Sequence, residues 1–275
     1  MKIGFIEQHP LIDQIISASS RAYEVAGLFT EETTEGHQPA EVFPTAESLI
    51  TVSDVLFVSG SARGLADMGE IAVKEGRHLF LESPLALEPA QKDHLFHLAR
   101  ESKSIIKLNR RLIHQPLYVS VRKKLHPEQV LIRIDSSRLY RSPEAMKDLI
   151  FEAASILRDA NPSGLRKCGS HIVQSVNSSE TPSAWQIKLD FDNGWSALIW
   201  VNHLTDSESF EMEFLQDNGK YDLSFSHGLG KVYDVRQGKS RRLREGLKAR
   251  DDLTLRDFYD FLQALKASRI PLTIN

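Results

Sequence analysis

Apolar and polar positions follow two different rhythms along this chain, and the change falls near its middle. In the first part, short apolar runs recur: "KIGFI" from Lys2, residues 23–29, "DVLFVS" from Asp54, "HLFLE" from His78 and "SIIKLN" from Ser104. Between them lie segments with apolar residues at helical spacing. One starts near Leu11. Another opens at "TAESLI", with Thr45 as N-cap and Ser48 three residues on. "GLADMGEIAVKEG" is a third, closed by Gly76, and "EPAQKDHLFHLARESK" a fourth, through Ala90, Leu95, Leu98 and Ala99. Strands this apolar, each followed by a helix, predict a parallel sheet covered on both faces.

The second part predicts strands at "VLIRIDS", "AWQIKLDF", "WSALIWVN", "FEMEFLQ" and "YDLSFS", with few helices between them. The Asn-Gly pairs of "FDNGW" and "QDNGK" predict antiparallel hairpins over residues 185–200 and 210–225, with both turn residues at positive φ. Trp185, Ile187, Leu189 and Phe191 alternate with Gln186, Lys188 and Asp190, giving one buried and one polar face. In the partner strand Trp195, Ala197, Ile199 and Val201 share one parity, while Leu198 and Trp200 take the other. Apolar residues on both faces imply that the outer face is covered, by a second subunit or by a helix of the same chain. The segment "LTLRDFYDFLQALKAS" is an amphipathic helix through Leu255, Phe258, Phe261, Leu262 and Leu265.

The fold class that follows is α/β: a doubly wound parallel sheet, then an α+β domain with an open, mostly antiparallel sheet. The expected domains are 1–108 and 109–275, with the closing helix 251–267 a candidate to pack back on the first.

Composition narrows the partners. With 41% hydrophobic and 26% charged residues the chain is of ordinary globular type. A net charge of −3 argues against a nucleic-acid footprint over the whole protein. The basic run at residues 236–250 reads as a solvated surface segment. Cys168 is the single cysteine, so no internal disulfide forms; an inert structural role and a reducing compartment are expected. No apolar stretch approaches the ~18 residues of a membrane span, and the strand after Lys2 is too short for a signal segment. A cytoplasmic protein with no membrane partner is the expectation.

The stretch "DVLFVSGSARGLADMGEIAVKEGRHLFLESPLALEPAQ" resembles the Gfo/Idh/MocA oxidoreductases, in which a strand, a helix ending in glycine, a strand and a Glu-Lys-Pro motif follow at this spacing. Gly76 takes the place of the family's glycine, and Glu82 and Pro84 flank the motif. "KLNRRL" resembles the Asn-Arg-Arg segment after the fifth strand, the two hairpins its sheet, and "FYDFLQAL" its closing helix. The resemblance covers nearly the whole chain. It implies an N-terminal Rossmann domain binding NAD or NADP, an open-sheet domain carrying the substrate, and oligomerisation through that sheet as a homodimer or larger assembly.

Carried over residue by residue, the resemblance fails at the chemistry. The Gly-x-Gly-x-x-Gly positions fall on Glu7, His9 and Ile12. The ribose-holding acid falls near Phe29, the Thr-Pro after the third strand on Gly60 and Ser61, and the motif lysine on Ser83. The Asp-x-x-x-His pair falls on Asp148 and Glu152. Side chains at the glycine positions take the space of the pyrophosphate, and Glu7 sets a negative charge beside it. That repulsion is about 4 kcal/mol at ~4 Å and an effective dielectric of ~20. Glu7 turned toward the helix N-terminus, with Pro10 at the first helical position, would fill the cradle from within. Ser83 has no pKa near neutrality, and Glu152 serves as a base only if burial raises its own.

The resulting expectation is a degenerate family member, a pseudoenzyme with no cofactor, binding a carbohydrate-like small molecule or a partner protein. The alternative is a diverged NAD- or NADP-dependent dehydrogenase of a sugar or polyol. Asn109, Arg110, Arg111, Arg138 and Arg141 are candidates for an anionic or hydroxylated ligand in the cleft the resemblance implies, or for pairing with surface carboxylates such as Asp148. His94 and His97 sit one helical turn apart without a third metal ligand, so a solvated face is expected. A nucleophilic Ser83 is rejected because no histidine stands at fixed spacing to activate it.

Overall fold

The computed structural model describes residues 1–7, 11–17, 23–30, 40–59, 65–83, 87–136, 143–175, 178–202, 205, 208–245, 248 and 250–268. The chain divides into two compact units, Met1–Asn109 with Thr254–Asn275, and Arg110–Leu253.

The first unit is built on five parallel strands: β1 (Lys2–Ile6), β2 (Glu24–Phe29), β3 (Val55–Val58), β4 (His78–Leu81) and β5 (Ile106–Leu108). Their order in the sheet is β2-β1-β3-β4-β5. The period of two splits the strands between two cores. Ile6, Leu56, Val58, Leu79 and Leu81 pack under α2 (Ala46–Val52), α3 (Leu65–Lys74) and α4 (Pro89–Ser102), through Leu49, Ile50, Ala72, Val73, Leu95 and Ala99. Ile3, Phe5, Val55, Phe57 and Phe80 face α1 (Leu11–Ser17) and the Phe258, Phe261, Leu262 and Leu265 side of α7 (Arg250–Ser268). Phe258 stands edge-on to Phe57 and Phe80, with ring centroids 5.2 and 5.0 Å away. This is the doubly wound sheet expected from the apolar runs.

Local signals explain the helix ends. Thr45 Oγ1 accepts from the Ser48 N–H at 3.2 Å and caps α2 as expected. Glu88 and Gln91 form a capping box on α4. Gly76, at φ 73°, turns the chain out of α3 while its N–H and that of Arg77 bond back to Val73 and Ala72. On the far side of the sheet, Lys107 Nζ meets the buried Asp257 carboxylate of α7 at 2.9 Å.

The second unit carries an eight-stranded sheet: β6 (Gln129–Asp135), β7 (Leu165–Ser175), β8 (Ser178–Phe191), β9 (Ser196–Asn202), β10 (Ser209–Gln216), β11 (Gly219–Ser224), β12 (Leu229–Asp234) and β13 (Lys239–Arg244). Only β6 and β9 pair in parallel; the other neighbours are antiparallel. Val130, Ile132, Ile134, Ala197, Ile199, Val201, Met212 and Phe214 form the inner face, which packs on α5 (Pro116–Val121) and α6 (Pro143–Ala160).

Both Asn-Gly hairpins form, with a different turn from the one expected. Among the described residues only Glu7 and Lys103 combine a side chain with positive φ, so neither Asn193 nor Asn218 does. In the first hairpin the Gly194 N–H bonds to the Phe191 carbonyl at 3.1 Å, and Gly194 alone takes positive φ, 86°. That is a type I turn followed by a left-handed glycine, the three-residue solution to the same reversal. The helix α6 and the strands β7, β12 and β13 are additions to the sequence reading. The basic run includes β13, an exposed edge strand. Cys168 is exposed on β7 and does not pack as a structural residue.

Candidate functional site

Parallel strands bring their carboxyl ends to one edge, and here each of the five is followed by a polar residue: Glu7 after β1, Thr30 after β2, Ser59 after β3, Glu82 and Ser83 after β4, and Asn109 after β5. The strand order reverses direction between β1 and β3, and ligands of open α/β sheets bind outside the carboxyl ends at such a switch point.

Backbone bonds fix these residues. The Glu7 N–H donates to the Phe29 carbonyl at 2.8 Å, Ser59 to Ile6 at 3.0 Å, Glu82 to Val58 at 3.0 Å and Asn109 to Leu81 at 2.9 Å. Glu7 takes φ 66°, a left-handed conformation that costs a side-chain-bearing residue about 1–2 kcal/mol. Glu7 thus holds, with a side chain, a backbone conformation that a glycine adopts without that cost. Its carboxylate accepts from Thr30 Oγ1 at 2.8 Å. Ser59 Oγ donates to Glu82 Oε2 at 3.2 Å. Asn109 is buried; its Nδ2 donates to Thr254 Oγ1 at 3.1 Å, and its Oδ1 has no partner.

The other sequence candidates separate. Ile12 is buried on α1 among Ile3, Phe5 and Leu28, so the β1–α1 packing holds a large side chain where the resemblance has a glycine. Phe29 is half-buried against the α2 side of the sheet. His9, Gly60, Ser61, Arg138 and Arg141 lie outside the described residues, as does Pro10, on which the expected anion at the α1 N-terminus rests. Asp148 and Glu152 lie one turn apart on α6.

Arg111 Nε meets Glu152 Oε1 at 3.0 Å, with the two side chains only 14% and 3% exposed, and the Leu112 N–H donates to Glu152 Oε2 at 3.4 Å. Arg111 is thus tied to a buried carboxylate, where the sequence reading weighed surface partners such as Asp148. Arg110 precedes this turn and is half-buried.

One polar cluster in the second unit escapes the sequence reading. Asp135, at the carboxyl end of β6, accepts from Asn202 Nδ2 at 3.1 Å, Ser209 Oγ at 2.8 Å and Arg133 Nε at 2.7 Å. Burial pushes its carboxyl up, but the hydrogen bonds from Ser209, Arg133 and Asn202 overcome this and hold it below its ordinary value. Beside it Ser136 Oγ donates to Glu208 at 2.6 Å.

Among the described residues no cluster of His, Cys, Asp and Glu has the makings of a metal site. His94 and His97 are exposed and lie 3.5 Å from Glu70 and 3.4 Å from Glu101, as a solvated helix face would have them. No helix among the described residues is long and apolar enough to cross a membrane.

No family model matches the chain. A stretch of 150 residues, 54% of this chain, is 28% identical to the dTDP-3,4-didehydro-2,6-dideoxy-alpha-D-glucose 3-reductase of Actinomadura kijaniata; the match spans 44% of that relative's length. Among solved structures, the UDP-N-acetylglucosamine 3-dehydrogenase GnnA from Acidithiobacillus ferrooxidans superposes with a TM-score of 0.80 at 17% identity, over 98% of this chain and 90% of that one. The biliverdin reductase of Synechocystis sp. PCC 6803, solved with biliverdin and NADP+, superposes with a TM-score of 0.73 at 16% identity, over 100% and 93%. The chain shares the fold of these solved structures, a five-stranded parallel sheet followed by an eight-stranded, mostly antiparallel one.

Proposed function

We propose that this protein is a diverged NAD- or NADP-dependent oxidoreductase acting on a sugar or polyol. The observation that carries the reading is the polar rim at the carboxyl edge of the parallel sheet, at its switch point. A nicotinamide dinucleotide contains two riboses whose vicinal hydroxyls need acceptors. Glu7 and Glu82 are carboxylates at separate strand ends and fit that need. The relative named as a dTDP-sugar 3-reductase and the neighbour named as a UDP-sugar 3-dehydrogenase support the substrate class.

The dinucleotide, when bound, supplies or accepts a hydride. The chain's residues do the rest. Glu7 and Glu82 hold ribose hydroxyls, each already oriented by a hydroxyl donor, Thr30 and Ser59. Arg111 and Glu152 neutralise each other and brace α6 against the turn that starts the second unit. Ser83 stands where the resemblance has a lysine. Its hydroxyl orients a substrate oxygen by hydrogen bonding but neither gives nor takes a full proton at neutral pH. Turnover is therefore slow beside that of a lysine-bearing enzyme.

The test is a nicotinamide absorbance assay with keto and hydroxy sugars, free and nucleotide-linked. Turnover with any of them supports the reading. Its absence with all of them, at saturating cofactor, rejects it.

Ser83 and the committed Glu152 favour a second reading, a pseudoenzyme that binds a carbohydrate-like ligand or partner protein without redox chemistry. It predicts ligand binding that is indifferent to added dinucleotide.

Under either reading a second copy of the chain covers the outer sheet face. Leu131, Leu198, Trp200 and Leu229 line a groove there of about 700 Å3. Glu211 and Glu213 of β10 face it from one side, and Lys231, Arg242 and Arg244 of the β12–β13 hairpin from the other. A two-fold rotation sets these opposite charges against each other. The lone Cys168 suits a reducing compartment, and the cytoplasm is the compartment this reading takes.

A further inference from the structure

We infer that Glu7, held by Thr30, makes this site select the dinucleotide without a 2′-phosphate, NAD over NADP; the inference rests on the oxidoreductase reading above.

In dinucleotide-binding folds an acid that follows the second strand takes the ribose hydroxyls of NAD. Thr30 follows β2 here, and a threonine hydroxyl alone donates as readily to a phosphate as to any other oxygen. A carboxylate reaches this strand end from the neighbouring strand. β1 and β2 run parallel with Ile6 opposite Phe29, so Glu7 and Thr30 are the next residues in register, each one step past its strand. The Glu7 N–H bond to the Phe29 carbonyl fixes the backbone at that step, and the left-handed φ of 66° sets the direction of the side chain. The result is Glu7 Oε2 at 2.8 Å from Thr30 Oγ1, at the end of β2.

A carboxylate held there accepts from ribose hydroxyls and repels a phosphate in the same place. For unit charges about 5 Å apart at an effective dielectric of about 20, discounted for solvent screening, the preference is roughly ten- to a hundredfold. Donation by Thr30 keeps the carboxylate from swinging away, so Thr30 is a positioning residue.

The experiment is calorimetric titration of the whole protein with NADH and with NADPH, for the natural sequence, Glu7→Gln and Thr30→Val, with thermal melts confirming that each variant folds. The natural protein is expected to bind NADH at least about tenfold more tightly than NADPH. Glu7→Gln keeps the shape, removes the charge and should bring the two affinities within about threefold. Thr30→Val should move the ratio the same way by less. Glu31 and Glu32 lie outside the described residues, and changing Glu7 alone holds them constant. Binding of both cofactors with a ratio that Glu7→Gln leaves unchanged overturns this inference and leaves the oxidoreductase reading standing. No binding of either cofactor overturns both.

Discussion

The Arg111 guanidinium and the Glu152 carboxylate form a buried ion pair in the second unit, Nε to Oε1 at 3.0 Å, closed by the Leu112 N–H on the other oxygen. The pair ties the 3-10 turn Arg111–His114 to the middle of α6. It also occupies the carboxylate that the resemblance aligns with a histidine of the Asp-x-x-x-His pair. Removing one partner strands the other charge away from water. Arg111→Ala should therefore cost about 3 kcal/mol of stability in denaturant unfolding, and Arg111→Lys, which keeps the charge, distinctly less. Equal stability for all three proteins would mean that the pair holds nothing together.

Ser83 gives a gain-of-function test. A general acid or base at the reacting oxygen contributes roughly a hundredfold or more to rate. Ser83→Lys should raise turnover on a sugar substrate by about that factor while changing dinucleotide affinity little. A variant no faster than the natural protein would place the proton transfer elsewhere.

Acid stability should depend on Asp135. Its folded carboxyl titrates below the ordinary value because Ser209, Arg133 and Asn202 outweigh the cost of burial. A depressed folded pKa contributes stability that is present above the unfolded value, about 4, and is lost as pH falls through the folded one. Asp135→Asn removes that contribution. The variant should be less stable at neutral pH and should approach the natural protein as the pH drops, which parallel urea melts at several pH values would show. A constant stability difference across the acid limb would contradict the assignment.

The outer sheet face gives a prediction about assembly. Trp200 is 36% exposed and Leu229 47% exposed on that face. Trp200→Arg sets a cation among Leu131, Leu198 and Leu229 and should convert the assembly to monomers in sedimentation velocity. A natural protein that is already monomeric at micromolar concentration would remove the second copy from the account.

Much of this architecture is legible in the sequence because periodicity is a local signal. Ile3, Phe5, Val55 and Phe57 sit in their strands with the parity that the two cores require, and Thr45 caps the helix it announces. Helix α6 is an addition to the expected elements, although Ala153, Ile156 and Leu157 fall at helical spacing and are fully buried. Strands β12 and β13 carry too few apolar residues to alternate, and the pairing of β12 with β11 and of β13 with β12 is made by the backbone. The Asn-Gly turns are right as reversals and different in geometry: the first is a type I turn with a left-handed Gly194, and the second loops through Asp217 and Asn218, with Gly219 already paired to Gln216.

The candidate site is less legible for a physical reason. Glu7 and Thr30 are 23 residues apart, and only strand register brings the carboxylate to the hydroxyl. Read as a lone residue in a glycine's place, Glu7 is an obstruction. Beside Thr30 it is an oriented acceptor. Ser59 and Glu82 are likewise joined only by the pairing of β3 with β4.

The central claim is that this polar rim holds a nicotinamide dinucleotide, and the most direct test is calorimetric titration of the natural protein with NADH. The account predicts saturable one-to-one binding in the micromolar range. No heat of binding at millimolar NADH or NADPH would contradict it and leave a fold that handles its ligand without the cofactor.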